Sequence, residues 1–351
     1  TMQRAIALTA LLAASATAAN QAVVSLTQDE RATLEQDLSD WMGLFGQEAQ
    51  TEGLLPNSNS ILNEEAAFND QLQRLLDTKN AVAQASLENP DAEFTHLNKF
   101  ALMTDAEFKK YVAVSFERGA SLRGAEDNLT VDDLEVGILA TSKDWTRESK
   151  CVSPVQNQGQ CGSCWAFSAV GVSESAHCIK TGQLFKLSEQ QVTSCSTNGG
   201  SQGCNGGWPW YAIDYASQGL CLSSAWPYTS GSTGKTGSCN KQCTKQKLSI
   251  GKNGRVSGES GVVAALNKQP LSVTVEAGNN VWRNYKGGVV STCPGAQSDH
   301  AVIAVGYDGQ SFKVKNSWGT GWGASGYINL KRGTGGQGTC NVVGAASFPR
   351  I

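Results

Sequence analysis

The stretch that decides how this chain folds is Gln158-Gly159-Gln160-Cys161-Gly162-Ser163-Cys164-Trp165-Ala166-Phe167-Ser168. Glycines and polar residues give way after Cys164 to Ala166, Phe167, Ala169, Val170, Val172 and Ala176, so a helix is expected to begin at Cys164. Its faces are mostly small or apolar, so it should be buried on most sides. Thr181-Gly182 closes it, with glycine in the stop position. A thiol in the first turn meets the positive end of the helix dipole, which favours the thiolate.

A nucleophilic thiol needs a base. The chain has 3 histidines. His96 lies in an acidic segment. His177 sits on the expected helix about three and a half turns beyond Cys164, at ~3.6 residues per turn, far from its N-terminus. His300 remains. It opens Ala301-Val302-Ile303-Ala304-Val305-Gly306-Tyr307, an apolar, β-branched run that reads as a buried strand. Next comes Phe312-Lys313-Val314-Lys315-Asn316-Ser317-Trp318-Gly319. Asn316 at the end of that strand can hold an imidazole by a hydrogen bond, and Trp318 can screen the bond from water.

These motifs, in this order, resemble those of papain-like cysteine proteases of the broad cathepsin L-like group. There a Cys-Gly-Ser-Cys-Trp signature precedes a His and an Asn ~130–150 residues downstream. Here His300 stands 136 residues and Asn316 152 residues beyond Cys164. The resemblance spans essentially all of 140–351 and, more loosely, 20–110. It implies Cys164 as nucleophile, His300 as base, Asn316 as the amide that orients it and Trp318 as the covering ring. Gln158 matches the side-chain donor of the oxyanion hole, with the Cys164 N–H as the second donor. Cys204-Asn205-Gly206-Gly207-Trp208-Pro209 matches a strand-like substrate edge, where Gly206 and Gly207 meet the substrate backbone. Trp208, Pro209, Thr274, Ala301 and Ala345 match the pocket for the second residue before the scissile bond, with Asp299 beside them. These pocket walls are neutral, which implies an apolar preference.

No metal or organic cofactor is implied. Cys161-x-x-Cys164 could be half a zinc site, but no His pair stands at a matching spacing. A non-catalytic protein on this fold would be marked by a changed Cys, His or Asn, and none is changed. No long insertion with paired His interrupts the domain, so an endopeptidase is expected.

The two halves of the chain differ. From 20 to 138 there are 22 acids and 8 bases; from 139 to 351 there are 9 acids and 19 bases. All 11 Cys and 32 of 38 Gly lie in the second part. Net charges of -14 and +10 suggest that the two parts bind each other. An overall charge of -3 does not indicate a nucleic-acid binder.

Residues 1–19 carry Arg4, an apolar run from Ala5 to Ala14 and a small-residue end, the pattern of a cleaved signal peptide. The expected destination is the secretory pathway, then the extracellular space, lysosome or vacuole. No run is apolar enough over ~18 residues to suggest a membrane span. Segment 20–138 reads as helical over Thr33 to Trp41 and Glu64 to Ala85, with Phe68, Leu72, Leu75 and Leu76 on one face. Leu97 to Phe100 reads as a short extended piece, and Thr104 to Glu107 as a helix cap. From Gly119 to Gly137 the chain is acidic and loop-like, with an Asn128-Leu129-Thr130 sequon.

This segment resembles the group's inhibitory propeptide. Phe68, Gln71, Leu72 and Leu75 match its long-helix motif, with Gln71 where the family has Asn. Asn98-Lys99-Phe100-Ala101-Leu102 matches a second motif, with His96 in place of Gly and Leu102 in place of Asp. Cleavage is expected near Glu135–Ser142.

One reactive thiol plus five bridges accounts for an odd number of cysteines. The resemblance implies Cys161–Cys204, Cys293–Cys340, and Cys195 with either Cys239 or Cys243. The pairing of Cys151, Cys178, Cys221 and the remaining one stays open. The expected architecture is α+β. A signal peptide (1–19) and a helical propeptide (20–138) precede a papain-like two-lobed peptidase domain (139–351), with a helical lobe and a β-barrel-like lobe. The implied partners are protein and peptide substrates and the chain's own propeptide as inhibitor; the molecule is expected to be a monomer.

Overall fold

The computed structural model describes residues 22–56, 63–113, 140–239 and 243–351. The expected leader, the 119–137 linker with its sequon and most of the expected cleavage region lie outside the described residues.

The N-terminal segment forms α1 (Gln28–Thr51), α2 (Glu64–Glu88) and α3 (Asp105–Ala113). Thr27 and Glu30 cap α1 reciprocally, and Asn63 caps α2, so both helices run longer than composition alone suggested. The expected cap at α3 is present: Thr104 N donates to Glu107 Oε2 (2.8 Å) and Glu107 N to Thr104 Oγ1 (3.2 Å). Leu34, Leu38 and Trp41 of α1 share one core with Leu72 and Leu75 of α2.

Two expectations need correction. Phe68 is 40% exposed and Leu76 only half-buried. Helical periodicity fixes the direction of a side chain, not what lies opposite it. The extended piece is not Leu97–Phe100 but β1 (Ala92–Phe94). Residues 98–103 turn instead, because Asn98 Oδ1 accepts from Phe100 N (2.9 Å), an Asx turn that folds the chain back.

Next in the chain comes β2 (Lys143–Asp144). The first lobe is then helical: α4 (Cys164–Thr181), α5 (Glu189–Cys195) and α6 (Pro209–Ala216). As expected, α4 starts at Cys164, ends at Gly182 with φ 77°, and is buried from Cys164 to Cys178. The second lobe holds β3 (Asn253–Val256), α7 (Gly258–Lys268), β4 (Leu271–Val275), β5 (Tyr285–Val290), β6 (His300–Tyr307), β7 (Ser311–Lys315), β8 (Tyr327–Lys331) and β9 (Ala346–Pro349). The sheet runs β1-β5-β8-β7-β6-β4-β9-β3, with β2 added against β6. Every residue of β6 is buried, which suits its unbroken apolar sequence.

The N-terminal segment joins this lobe as an extra strand. β1 pairs antiparallel with β5, Ala92 opposite Gly288. Neutral amides fix it: Asn89 Oδ1 accepts from Ser291 N (2.9 Å) and Thr292 N (2.8 Å), and Asn98 Nδ2 donates to Asn284 Oδ1 (3.1 Å). Among the described residues, one ion pair joins the two unlike parts, Asp105 with Arg283 at 3.0 Å. The segment's other ion pairs lie within it, as in Lys99 with Glu48 and Glu52, and Arg74 with Asp70 and Glu107. Among the described residues, direct ion pairing gives one contact to the attraction expected from net charge. The carboxylate missing at Leu102 has a near substitute: Arg74 Nη1 bonds the Leu102 carbonyl (3.1 Å) while pairing with Glu107.

Asn89→Ala leaves two partly buried N–H groups unpaired, each worth about 1–3 kcal/mol. In the full chain, amide exchange at Ser291 and Thr292 should rise at least tenfold, a shift of about 1.4 kcal/mol. Unchanged protection would refute this view of the docking.

Candidate active site

Helix α4 presents its first residue, Cys164, at the junction of the lobes. Of the cysteines, Cys164 alone forms no disulfide. The bridges are Cys151–Cys178, Cys161–Cys204, Cys195–Cys239, Cys221–Cys243 and Cys293–Cys340. They include the three that the family resemblance implied, with Cys239 chosen over Cys243 as the partner of Cys195.

The Cys164 sulfur lies against the start of β6, where the Ala301 N–H donates to Sγ at 3.4 Å. Ala301 adjoins His300. The chain then turns back through β7, which pairs antiparallel with β6, so that Asn316 arrives beside the histidine. His300 Nε2 and Asn316 Oδ1 are 2.8 Å apart. That same Oδ1 accepts from Ser317 N (2.8 Å). An amide oxygen can only accept, so Nε2 carries the ring proton and a neutral His300 keeps its lone pair on Nδ1.

Aromatic rings enclose this pair. Trp318 stacks on His300 (centroids 4.9 Å, 27° between planes) and Trp282 meets it edge-on (6.3 Å). Trp322 stacks on Trp282 and donates from Nε1 to its carbonyl (2.9 Å). The pattern of β-strands left Trp282 unremarked; it belongs to a short helical turn, Asn280–Asn284, far from either motif. From the N-terminal segment, Phe100, Phe108 and Tyr111 press their rings against Trp318 at 5.5–6.3 Å. The histidine is fully enclosed, and burial pushes its pKa from the ordinary 6.5 down to about 4, against a smaller opposing effect of the Asn316 bond.

Gln158 lies behind the thiol, its amide held at both ends. Nε2 donates to Cys161 O (3.0 Å) and Oε1 accepts from Ser317 Oγ (2.7 Å). The amide nitrogen has a second N–H besides the one on Cys161.

The other residues singled out in the sequence fall into two groups. Thr274 pairs with Ala301 across β4 and β6, and its N–H donates to Ala345 O (3.2 Å), so these three converge. Gly206, Gly207, Trp208 and Pro209 stand on the helical lobe. A Cβ at Gly207 would fall 2.5 Å from the Trp165 ring, so only glycine fits there. Trp208 stacks on Trp210 (4.8 Å), and Pro209 opens α6. Asp299 turns its carboxylate inward onto Ala277 N (2.7 Å) and Gly278 N (3.0 Å). Burial pushes its pKa up to about 6 in spite of those bonds. Among the described residues no cluster of three His, Cys, Asp or Glu could hold a metal ion. Chemically, the arrangement combines a lone thiol at a helix N-terminus, an oriented imidazole and nearby amide donors.

Residues 139–350 match the family model described as papain family cysteine protease. Digestive cysteine proteinase 2 of Homarus americanus is 39% identical over 276 residues, covering 75% of this chain and 82% of that protein. Papain of Carica papaya is 38% identical over 255 residues, 72% of each chain. Among solved structures, the proform of the ragweed pollen cysteine protease Amb a 11 superposes with a TM-score of 0.75 at 29% identity, covering 90% of this chain and 97% of that one. Digestive procathepsin L 3 of Tenebrio molitor gives 0.70 at 28% identity, covering 91% and 99%. Both likenesses extend over the N-terminal helices as well as the two lobes. A thiol outside any disulfide on a buried helix, set against a histidine strand and matched along the whole second part, leaves one conclusion: the chain is a cysteine endopeptidase and belongs to the papain family of cysteine proteases.

Proposed function

We propose that the chain is the zymogen of a secreted cysteine endopeptidase, hydrolysing peptide bonds through a Cys164–His300 thiolate–imidazolium pair. The observation that carries this reading is the approach of the one cysteine sulfur outside a disulfide to the residue adjoining His300, whose ring is bonded to Asn316. The thiolate attacks the scissile carbonyl. Gln158 and the Cys164 N–H stabilise the oxyanion. His300 protonates the leaving amine, then activates water against the thioester, regenerating the thiol. Asn316 and Trp318 hold the ring and keep water from its bond. Gly206 and Gly207 receive the substrate backbone, and Trp208, Pro209, Thr274, Ala301 and Ala345, beside Asp299, line a pocket for an apolar side chain. Residues 1–19 act as the signal peptide, and 20–138 as the propeptide. The product works outside the cell or in a lysosome or vacuole.

In this reading the propeptide inhibits by covering and by drying. Its aromatic cluster seals the histidine, and a His300 whose pKa lies near 4 stays neutral at higher pH. A neutral ring has no charge with which to hold a thiolate. The linkage follows directly. The covered state binds the His300 proton only near pH 4, whereas an exposed histidine binds it near 6.5. Opening therefore takes up a proton in that window, and acid favours opening.

The decisive assay uses acid-treated protein, a fluorogenic dipeptide amide and an epoxide thiol trap. Hydrolysis should appear and be abolished by the trap or by Cys164→Ala. Gln158→Ala should lower kcat ~10²–10³-fold. Apolar side chains at the second position before the cleaved bond should be preferred over charged ones by ~10-fold or more in kcat/KM. No hydrolysis after removal of 20–138 would refute the assignment. In full-length Cys164→Ser, which cannot process itself, exchange at the β1–β5 pairing should accelerate as pH falls from 6.5 to 4, after correction for intrinsic exchange. A flat profile there would contradict the proposed proton linkage.

A further inference from the structure

We propose that the Tyr228 hydroxyl is a positioning group for the oxyanion hole, tying the Gln158 carbonyl to the Ser163 side chain and so setting the distance between the hole's two donors. The proposal rests on the assignment of those donors above. One donor is the Gln158 amide; the other is the N–H of Cys164, the residue after Ser163. Gly159, Gln160, Cys161, Gly162 and Ser163 separate them, a loop that the Cys161–Cys204 bridge ties at its middle.

Tyr228 OH donates to Gln158 O at 2.8 Å. Its oxygen lies 2.7 Å from Ser163 Oγ. The phenol has one hydrogen, and the carbonyl can only accept, so that hydrogen points to Gln158 and the serine must donate to the phenol. A directed chain results, from Ser163 O–H to Tyr228 O–H to Gln158 C=O.

The serine's behaviour supports a purpose for this chain. Ser163 occupies the N-cap of α4 but makes no side-chain capping bond, although capping is the usual role of serine there. It is fully buried, and its hydroxyl faces two acceptors, the Tyr228 oxygen at 2.7 Å and the Cys161 carbonyl at 3.4 Å, of which the phenol is much the nearer. Gln158 is immobilised in the same way. Its N–H donates to Ser317 O (2.8 Å), and its side chain is held by Cys161 and Ser317. The Tyr228 bond to its carbonyl is the remaining tie. The tyrosine is itself fixed, its ring edge-on to Phe167 of α4 (4.8 Å, 87°). Gly231, three residues on, lets this segment close over the loop: its carbonyl accepts from Gln160 N (2.9 Å), and a Cβ there would fall 2.9 Å from Gln158 O. Burial raises the phenol's pKa further, so it remains a donor throughout the working pH range.

The test uses the acid-processed enzyme. Tyr228→Phe keeps the ring and removes the hydroxyl. Amide hydrolysis should fall about 10-fold, in kcat more than in KM. Alkylation of Cys164 by iodoacetamide builds no oxyanion, so its rate and pH profile should stay as in the parent. In a Gln158→Ala background the same change should cost less than ~2-fold, because the donor it positions is gone. Ser163→Ala should show the same pattern, and it carries the test if Tyr228→Phe does not fold. An unchanged kcat, an equal loss with and without Gln158, or a parallel loss of alkylation would each overturn the proposal. If Gln158→Ala alone leaves kcat unchanged, the donor assignment fails instead, a separate outcome.

Discussion

The structure depends on one seam, the packing of α4 against β6. It brings two distant parts of the chain into fixed register. Ser168 Oγ donates to Val302 O (2.8 Å), one turn beyond the point where Ala301 N reaches the Cys164 sulfur. Both elements are buried along nearly their full length, and packing their apolar residues together is the main favourable term. The hydrogen bonds of Ser168 and Cys164 then select the register. A strand shifted by one residue would turn His300 to the opposite face of the sheet.

Around that seam the molecule controls water. The imidazole sits between Trp318 and Trp282, and rings from the N-terminal segment pack on Trp318. In the function proposed, burial of the ring with the segment in place disfavours its charged form, and loss of the segment would open the site to substrate. The segment is held mainly by backbone pairing and by neutral Asn89 and Asn98. Six of its acids, Glu35, Asp37, Glu48, Glu52, Asp70 and Glu107, pair with its own bases, and Asp105 pairs across to Arg283.

Much of the proposed active centre was legible in the chain itself. Cys164 was marked by the switch from a glycine-rich loop to a small-residue helix, and His300 by elimination among three histidines. Asn316 and Trp318 followed from strand and motif. Trp282 and Tyr228 were not legible. Each acts through a contact spanning tens of residues in sequence, and no local periodicity encodes such a contact. The same reason explains Phe68, whose helical face was right and whose neighbour was absent.

Sequence alone pointed to the chemistry proposed: one cysteine at a helix start, one ring, one amide and an acidic segment to accompany them. Those follow from residue type and from the short-range rules of capping, periodicity and charge. The tertiary structure decided what depends on distance. It closed five bridges in one pattern, turned the Asp299 carboxylate inward, and placed a buried phenol between two loop ends. Hydrogen bonds and desolvation act over a few ångströms, and only the folded chain says which residues are that close.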